Sequence, residues 1–129
     1  MRGYILRTIV GAVIVCLSGF ALADSTVVEV FTCELEDEKT IDEVQAANST
    51  WMHWVNANGG DGKVSSSVVT AIVGNNQGFV FVDSYPDLAT WAAVQDALDS
   101  DEGEEAVGDV FDGLFECDEN TLHKSTPTE

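Results

Sequence analysis

Aromatic and polar side chains recur along this chain at spacings that would gather them around a small molecule. The densest group is the segment WMHWVNAN, residues 51–58. With helical spacing Trp51 and Trp54 share a face, whereas His53 is rotated away from it. Tryptophan at such spacing most often belongs to a core, and an isolated histidine is most often solvated. The functional alternative is an aromatic pocket in which an amide or carboxylate orients a ligand, with the candidate residues Trp54, Asn58, Phe79, Phe81, Asp83 and Trp91.

Asp83 is the residue best placed for acid–base chemistry. It ends the apolar run FVFVD, where burial would raise the pKa of its carboxyl group into the range of a proton shuttle. The simpler interpretation is that Asp83 caps a turn. The chain has two histidines, too few for a multi-histidine metal site within one subunit, and its serines lie in no nucleophile motif. The sequence therefore predicts no catalytic residue, no metal site and no cofactor, and leaves open whether the chain is an enzyme.

The first half of the chain predicts a strand and then an amphipathic helix. Residues 26–33 (TVVEVFTC) are rich in β-branched side chains, and their alternation places the odd-numbered residues on one face. Thr40 and Glu43 have the spacing of a capping box, which marks a helix start. The helix is predicted to run to about Asn58, where NGGDG stops it, and to bury a face formed by Ile41, Val44, Ala47, Trp51 and Val55.

The middle of the chain predicts a β-hairpin followed by a second helix. Residues 63–73 and 79–83 alternate and are joined by the turn sequence GNNQG. Pro86 suits a first helical turn, and one side of this helix is marked by Leu88, Trp91, Gln95 and Leu98.

The last third predicts an interrupted helix and a final strand. The charged residues 100–105 are predicted to break the second helix, and a short helical continuation follows over residues 106–111, with Val107, Val110 and Phe111 turned inward. The last strand is predicted over residues 114–124. Residues 125–129 are predicted to be a disordered tail.

This order of elements predicts a single α+β domain over residues 24–124. The order β-α-β-β-α-β is that of ferredoxin-like folds, with a four-stranded antiparallel sheet and two helices on one face. Its first and last strands are antiparallel neighbours, so Cys33 at the end of the first should face Cys117 at the start of the last. Cross-strand Cβ atoms lie about 4.5–5.5 Å apart, close to the reach of a disulfide. A structural disulfide is therefore predicted, and no CxxC spacing supports the alternative of a redox or metal-binding pair.

The hairpin and second helix, SSVVTAIVGNNQGFVFVDSYPDLATWAAVQDAL, resemble the dimeric α+β barrel superfamily, which includes antibiotic-biosynthesis monooxygenases. The resemblance lies in the order of elements and in the strand-Tyr-Pro-Asp-Leu-helix join. It implies a homodimer with a pocket between each sheet and its helices. Some members oxidise polycyclic phenols without a cofactor, and others degrade haem with an Asn, a Trp and a His. The first strand of this chain has no Asn, which departs from the haem-degrading pattern.

The N-terminus predicts export. Arg2 and Arg7 precede an apolar run over residues 8–20, and Ala21-Leu22-Ala23 supplies the small residues of a cleavage site. A membrane-spanning helix needs about 20 apolar residues, and this run is shorter and interrupted. Residues 1–23 are therefore predicted to be a signal peptide, and the mature protein to be periplasmic or secreted without a membrane anchor.

The chain is strongly acidic. Its formal charge is −18, and removing residues 1–23 leaves three lysines against 23 acidic residues, a charge of −20. Such a surface repels nucleic acid and anionic lipid, so neither is predicted as a partner. A binder of cations or basic partners is one interpretation, and a solubilising surface is the simpler one.

Two functions of different class are compatible with these patterns. The favoured hypothesis is an exported, non-catalytic module that binds a small apolar or aromatic ligand or acts through its dimer. The alternative is a cofactor-independent monooxygenase-like enzyme that acts on an aromatic substrate. An open space between the helices and the sheet that reaches Asp83, His53 or Asn58 would favour chemistry, whereas tryptophan side chains filling that space would favour a passive core.

Overall fold

The computed structural model describes residues 25–74 and 78–128. The predicted signal peptide, residues 1–23, lies outside the described residues. The elements in chain order are β1 (Thr26–Leu35), α1 (Ile41–Val55), β2 (Ser65–Thr70), β3 (Gly78–Tyr85), α2 (Leu88–Leu98), α3 (Asp101–Phe111) and β4 (Phe115–Ser125).

The four strands form one antiparallel sheet in the order β2-β3-β1-β4. This order confirms the predicted α+β, ferredoxin-like fold, in which the first and last strands are neighbours. β2 is shorter than predicted, β3 continues two residues past Asp83, and β4 extends one residue into the predicted tail. The face of β1 that carries Val27 and Cys33 is covered by the helices.

The disulfide joins Cys33 to Cys117 across the β1–β4 pair, as predicted. The register slips by one residue between Thr32, which pairs with Glu119, and Cys33, which pairs with Cys117. Asp118 is therefore the extra residue of a β-bulge. Because alternate residues of a strand point to opposite faces, this bulge turns Cys117 towards the same face as Cys33.

Helix α1 begins as its sequence predicts but ends earlier. The Thr40 hydroxyl accepts a hydrogen bond from the Glu43 amide, and the Glu43 carboxylate accepts one from the Thr40 amide, which confirms the capping box. Regular α-helix stops at Val55, and a wider turn over Asn56–Gly60 follows. Asn56 terminates the helix by bonding both the amide and the carbonyl of Val64, at 3.0 and 2.9 Å.

The helical continuation predicted over residues 106–111 is a separate third helix that begins earlier, at Asp101. The chain breaks only at Asp99 and Ser100, and the Ser100 hydroxyl accepts a hydrogen bond from the Gly103 amide to start α3. The charged segment predicted as an interruption is thus the first part of a helix, whose acidic side chains are favourable at its positive N-terminal end. The predicted inner face of α2 also needs correction, because Val94 is its fully buried residue and Leu88 is 57% exposed.

The core lies between the helices and the sheet in two adjoining clusters. The first joins α1 and α2 to the sheet through Trp51, Val55 and Val94. The second joins the N-terminal half of α1 to the opposite end of the sheet through Val44 and Cys33. The buried polar side chains of the sheet, on the face turned towards the helices, therefore lie between these two apolar clusters.

Candidate functional site

A cavity of about 550 Å³ lies between the sheet and the three helices. Its size falls within the range of about 300–1,000 Å³ that is typical of small-molecule sites. Strands β1, β3 and β4 form its floor, and α1, α2 and α3 contribute walls. The cavity thus lies within the layer between the sheet and the helices.

Several aromatic side chains line the cavity, and their rings hold one another in position. Phe111 packs edge-on against Trp51 with ring centres 5.5 Å apart, and against Phe115 at 5.2 Å. Phe81 lies 5.1 Å from Phe115. Edge-to-face pairs at such distances are attractive beyond their buried area. A ligand would therefore meet a preformed aromatic surface.

Two carboxyl groups form the polar part of the floor. Glu29 on β1 and Asp83 on β3 are direct register partners, and both line the cavity. Glu29 is 4% exposed and Asp83 is 7% exposed. Like charges directly opposite each other on antiparallel strands destabilise a sheet, so this pair is not explained by folding alone.

Glu29 is held by three hydrogen bonds from three different elements. Its Oε2 accepts from the indole Nε1 of Trp91 at 3.1 Å and, at a longer 3.4 Å, from the hydroxyl of Tyr85. Its Oε1 accepts from Nδ2 of Asn120 on β4 at 3.1 Å. These donors satisfy both oxygens and hold the carboxylate in one orientation.

Asp83 is bonded less completely. The pKa of its carboxyl group is raised to about 6, mainly by burial and also by the charge of the facing Glu29, while a hydrogen bond with Ser66 opposes both. Ser66 in turn accepts a hydrogen bond from Nδ2 of Asn48 on α1 at 2.9 Å. The other oxygen, Oδ1, is buried and has no hydrogen-bond partner among the described residues. A residue that lines the cavity therefore keeps one buried acceptor without a donor among the described residues.

Tyr85 is the third titratable group of the floor. Burial raises the pKa of its hydroxyl group well above the ordinary value, and the Asp83 and Glu29 carboxylates raise it further. Tyr85 therefore stays protonated at neutral pH and acts as a hydrogen-bond donor to Glu29.

The structure separates the six predicted site residues into two groups. Phe81 and Asp83 line the cavity, and Trp91 reaches its floor through the bond to Glu29. Trp54 instead stacks on the outer side of Trp51, with ring centres 5.0 Å apart. Asn58 donates to the Trp54 carbonyl at 2.8 Å, and Phe79 lies in the second core cluster.

The interpretation of Asp83 as a turn cap is wrong. Asp83 lies inside β3, which continues to Tyr85, and both neighbouring strands pair with it. The interior position is what buries its carboxyl group and places it opposite Glu29.

Sequence reasoning missed Glu29, Asn48 and Tyr85 as parts of the site. Glu29 carried a usable signal, because it shares the odd-numbered face of β1 with Val27, Phe31 and Cys33. Asn48 follows Val44 by four residues and precedes Trp51 by three, which is the spacing of the buried helix face. A polar residue in an apolar stripe is thus the pattern that would have found both.

The described part of the chain shows neither a cluster of metal ligands nor a membrane-spanning helix. Between residues 25 and 74 and between 78 and 128, no three His, Cys, Asp or Glu side chains are grouped as metal ligands. No helix within these ranges has both the length and the apolar character needed to cross a bilayer.

Comparison with known proteins finds structures of the same fold but no family and no related curated sequence. No family model matches the chain, and no curated protein sequence matches it. Among solved structures it is similar to SnoaB, a cofactor-independent oxygenase from Streptomyces nogalater, with 13% identity, a TM-score of 0.58 and coverage of 81% of this chain and 96% of that one. A NIPSNAP-like domain protein from Burkholderia xenovorans has 16% identity, a TM-score of 0.54 and coverage of 81% and 87%.

A third similar structure is a protein from Nitrosomonas europaea proposed as an antibiotic-biosynthesis monooxygenase. It has 11% identity, a TM-score of 0.51 and coverage of 79% of this chain and 89% of that one. These likenesses confirm that the chain has an α+β, ferredoxin-like fold. At such low identity they establish the fold and leave the activity to be argued from the site.

Proposed function

We propose that this protein binds one small, largely apolar molecule in the cavity between its sheet and helices, without catalysing a reaction. The observation that carries the proposal is an aromatic cavity of about 550 Å³ whose floor holds a buried carboxyl oxygen with no partner among the described residues. Binding sites combine mostly apolar walls with a few convergent polar groups that orient the ligand. This cavity has both parts.

The distribution of hydrogen bonds supports binding at the floor. The Glu29 carboxylate is saturated by the protein, whereas Asp83 keeps an oxygen free. A buried acceptor without a donor is destabilising by about 1–3 kcal/mol. A ligand that donates to Asp83 would recover that free energy, which gives the site a physical reason to be occupied.

Export to the periplasm or the medium is part of the proposal. The N-terminal pattern of arginines, apolar run and Ala21-Leu22-Ala23 supports a cleaved signal, and the disulfide is of the kind that persists in oxidising compartments. We expect the mass of the exported protein to correspond to a chain that begins at Asp24. A mass that includes residues 1–23 would contradict export by cleavage.

A homodimer is also proposed, formed through the face of the sheet that is turned away from the helices. This face carries the half-buried side chains Val28, Val30, Val80 and Val82, and Val69 beside them is 47% exposed. A row of valines on an uncovered sheet face is typical of an interface. Sedimentation equilibrium should give twice the chain mass, and Val30→Lys should give a folded monomer; a wild-type monomer would exclude this dimer.

The test of ligand binding uses a variant that fills the cavity. Gly108 on α3 lines the cavity, and a Cβ atom added there would meet no atom within 4 Å. We expect the wild type to bind a neutral, polarity-sensitive dye such as Nile red with saturable fluorescence, and Gly108→Phe to lose that binding. Asp109→Phe is the matched control, because Asp109 is exposed on the same helix and does not line the cavity.

Two results would overturn the binding proposal. One is a wild type that binds neither the dye, at any concentration below its solubility limit, nor a small indole such as tryptamine or tryptophol. The other is equal binding by the wild type and Gly108→Phe, which would place the dye outside the cavity.

A cofactor-independent oxygenase acting on a phenolic aromatic substrate is the second candidate function. Asp83 favours it, because a carboxylate with a pKa of about 6 in an aromatic cavity is suited to take a proton from a phenol. Oxygen uptake with a panel of polycyclic phenols tests this candidate. Turnover that Asp83→Asn abolishes would establish it in place of passive binding, whereas no uptake with any phenol would remove it.

A further inference from the structure

Building on the ligand-binding function proposed above, we infer that the molecule held in this cavity is an organic cation. The expected ligand is an amine that is protonated at neutral pH and carries a compact aromatic or apolar body. Its N–H groups would bond the carboxyl group of Asp83, and its body would lie against the aromatic rings that line the cavity. The inference names the ligand class that the floor and walls of the cavity favour together.

The cavity holds negative charge without a basic side chain to balance it. Glu29 and Asp83 face each other on its floor, and Asp112 lines it at the end of α3. None of the described residues that line the cavity is Lys, Arg or His. Lys39 pairs with Glu43 at 3.8 Å and Lys63 pairs with Asp61 at 3.0 Å, both on the surface. The missing positive charge therefore has to come from the ligand.

The two buried carboxyl groups differ in what they can offer a ligand. Glu29 is already bonded by Trp91, Tyr85 and Asn120, so it contributes mainly its charge. Asp83 has an oxygen without a partner among the described residues and lines the cavity. A donor that also carries a positive charge satisfies both features, because charge-assisted hydrogen bonds are stronger than neutral ones.

The walls suit the same ligand. The faces of aromatic rings attract ammonium groups, and the attraction grows when water is excluded. Trp51, Phe31 and Phe81 line the cavity beside the carboxyl groups, and Tyr85 lies on its floor. An amine with an aromatic body would therefore find attraction for its charge and apolar contact for its ring within one cavity.

A bare metal ion fits the cavity less well than an organic cation. Calcium takes six to eight oxygen ligands. Glu29 uses both oxygens in bonds to the protein, and the described residues contain no group of three metal-ligating side chains. The negative charge of the whole chain, −18, would in contrast draw any cationic molecule towards the protein.

The test compares three molecules that share one ring system and differ in charge. Tryptamine is a cation at neutral pH, tryptophol is its neutral alcohol analogue, and indole acetate is an anion. Calorimetric titration of the full exported protein at pH 7.5 should give affinity for tryptamine roughly tenfold or more above that for tryptophol, and none for indole acetate.

Asp83→Asn provides the matched variant. It keeps the shape of the side chain and removes its charge, so we expect tryptamine and tryptophol to bind it with affinities within about threefold of each other. Asp109→Asn removes one surface charge from α3 without lining the cavity, and it should keep the preference for tryptamine. Circular dichroism and the binding of Nile red show whether each variant is folded with its cavity open.

The outcomes separate this inference from the function on which it rests. Binding of Nile red or tryptophol with no preference for tryptamine would overturn the cationic ligand and leave a binding protein for neutral molecules. A preference that survives in Asp83→Asn would also overturn it, because the charge of Asp83 would then play no part. Failure of the wild type to bind the dye and all three indoles would remove the binding function itself.

Discussion

Glu29 and Asp83 are register partners on adjacent antiparallel strands, and both carboxyl groups are buried on the floor of one aromatic cavity. The protein bonds one of them fully and leaves an oxygen of the other free. Burying two carboxyl groups side by side opposes folding. The two carboxyl groups therefore lower the stability of the fold at the cavity, which supports the proposal that the cavity binds a ligand.

The first prediction concerns the pH dependence of stability that Asp83 causes. Its folded pKa, about 6, lies above the ordinary value of 3.8, so the native state binds the proton more tightly than the unfolded chain does. Its contribution to stability is complete below about pH 4 and is lost as the pH rises through 6. Urea unfolding should show the stability of Asp83→Asn relative to wild type increasing by up to about 3 kcal/mol between pH 4 and pH 7.

Asp87→Asn is the control for this pH dependence. Asp87 caps α2, and hydrogen bonds from Thr90 lower the pKa of its carboxyl group. A lowered pKa gives the opposite pH dependence of stability. The stabilisation by Asp87 is present above the ordinary pKa and is lost on acidification. If Asp83→Asn and wild type had parallel stability profiles from pH 4 to pH 7, the raised pKa of Asp83 would be wrong.

The second prediction concerns the indole bond to Glu29. Trp91→Phe removes the donor to Oε2 and leaves a buried carboxylate with one bond fewer. Trp54→Phe removes a similar volume, but Trp54 makes a ring stack with Trp51 and lies outside the cavity. Chemical denaturation should show Trp91→Phe to be less stable than Trp54→Phe by about 1.5 kcal/mol. Equal losses would mean that the bond to Glu29 contributes nothing.

The third prediction concerns the disulfide. Cys33 and Cys117 are 84 residues apart, and closing a loop of that length stabilises a fold by up to about 4.5 kcal/mol in the chain-entropy model. The double variant Cys33→Ala, Cys117→Ala should have a free energy of unfolding, measured with urea, that is lower than that of wild type by up to this amount. Added reductant should destabilise wild type and leave the double variant unchanged, and an insensitive wild type would show that the bond is not formed.

The fourth prediction concerns the contact between the two C-terminal helices. A Cβ atom at Gly103 would lie 2.7 Å from Leu98 Cα and still closer to two carbonyl oxygens of α2, whereas one at Gly108 would meet nothing within 4 Å. Gly103→Ala should lower the free energy of unfolding by about 1–3 kcal/mol. Gly108→Ala should raise it by up to about 1 kcal/mol, because alanine favours the helix. A neutral Gly103→Ala would show that α2 and α3 are further apart.

Local patterns in the sequence determined most of the elements. Alternation predicted β1 and β3, the capping box at Thr40 predicted where α1 begins, and the order of elements predicted the β1–β4 pairing that joins Cys33 to Cys117. These features depend on residues close together in the chain or on the fold class, so they can be predicted from the sequence alone. The start of the third helix was predicted five residues too late, because it depends on a single capping serine within a charged segment.

The floor of the cavity was decided by tertiary structure. Glu29 and Asp83 are 54 positions apart in the chain, and only the register of β1 against β3 places them opposite each other. The same register brings Tyr85 to Glu29, whereas the packing of α2 brings Trp91 to Glu29 and the packing of α1 brings Asn48 to Ser66. Sequence alone determined which residues could face inward, because periodicity is local. Which of them meet depends on strand register and helix packing, which are properties of the folded chain.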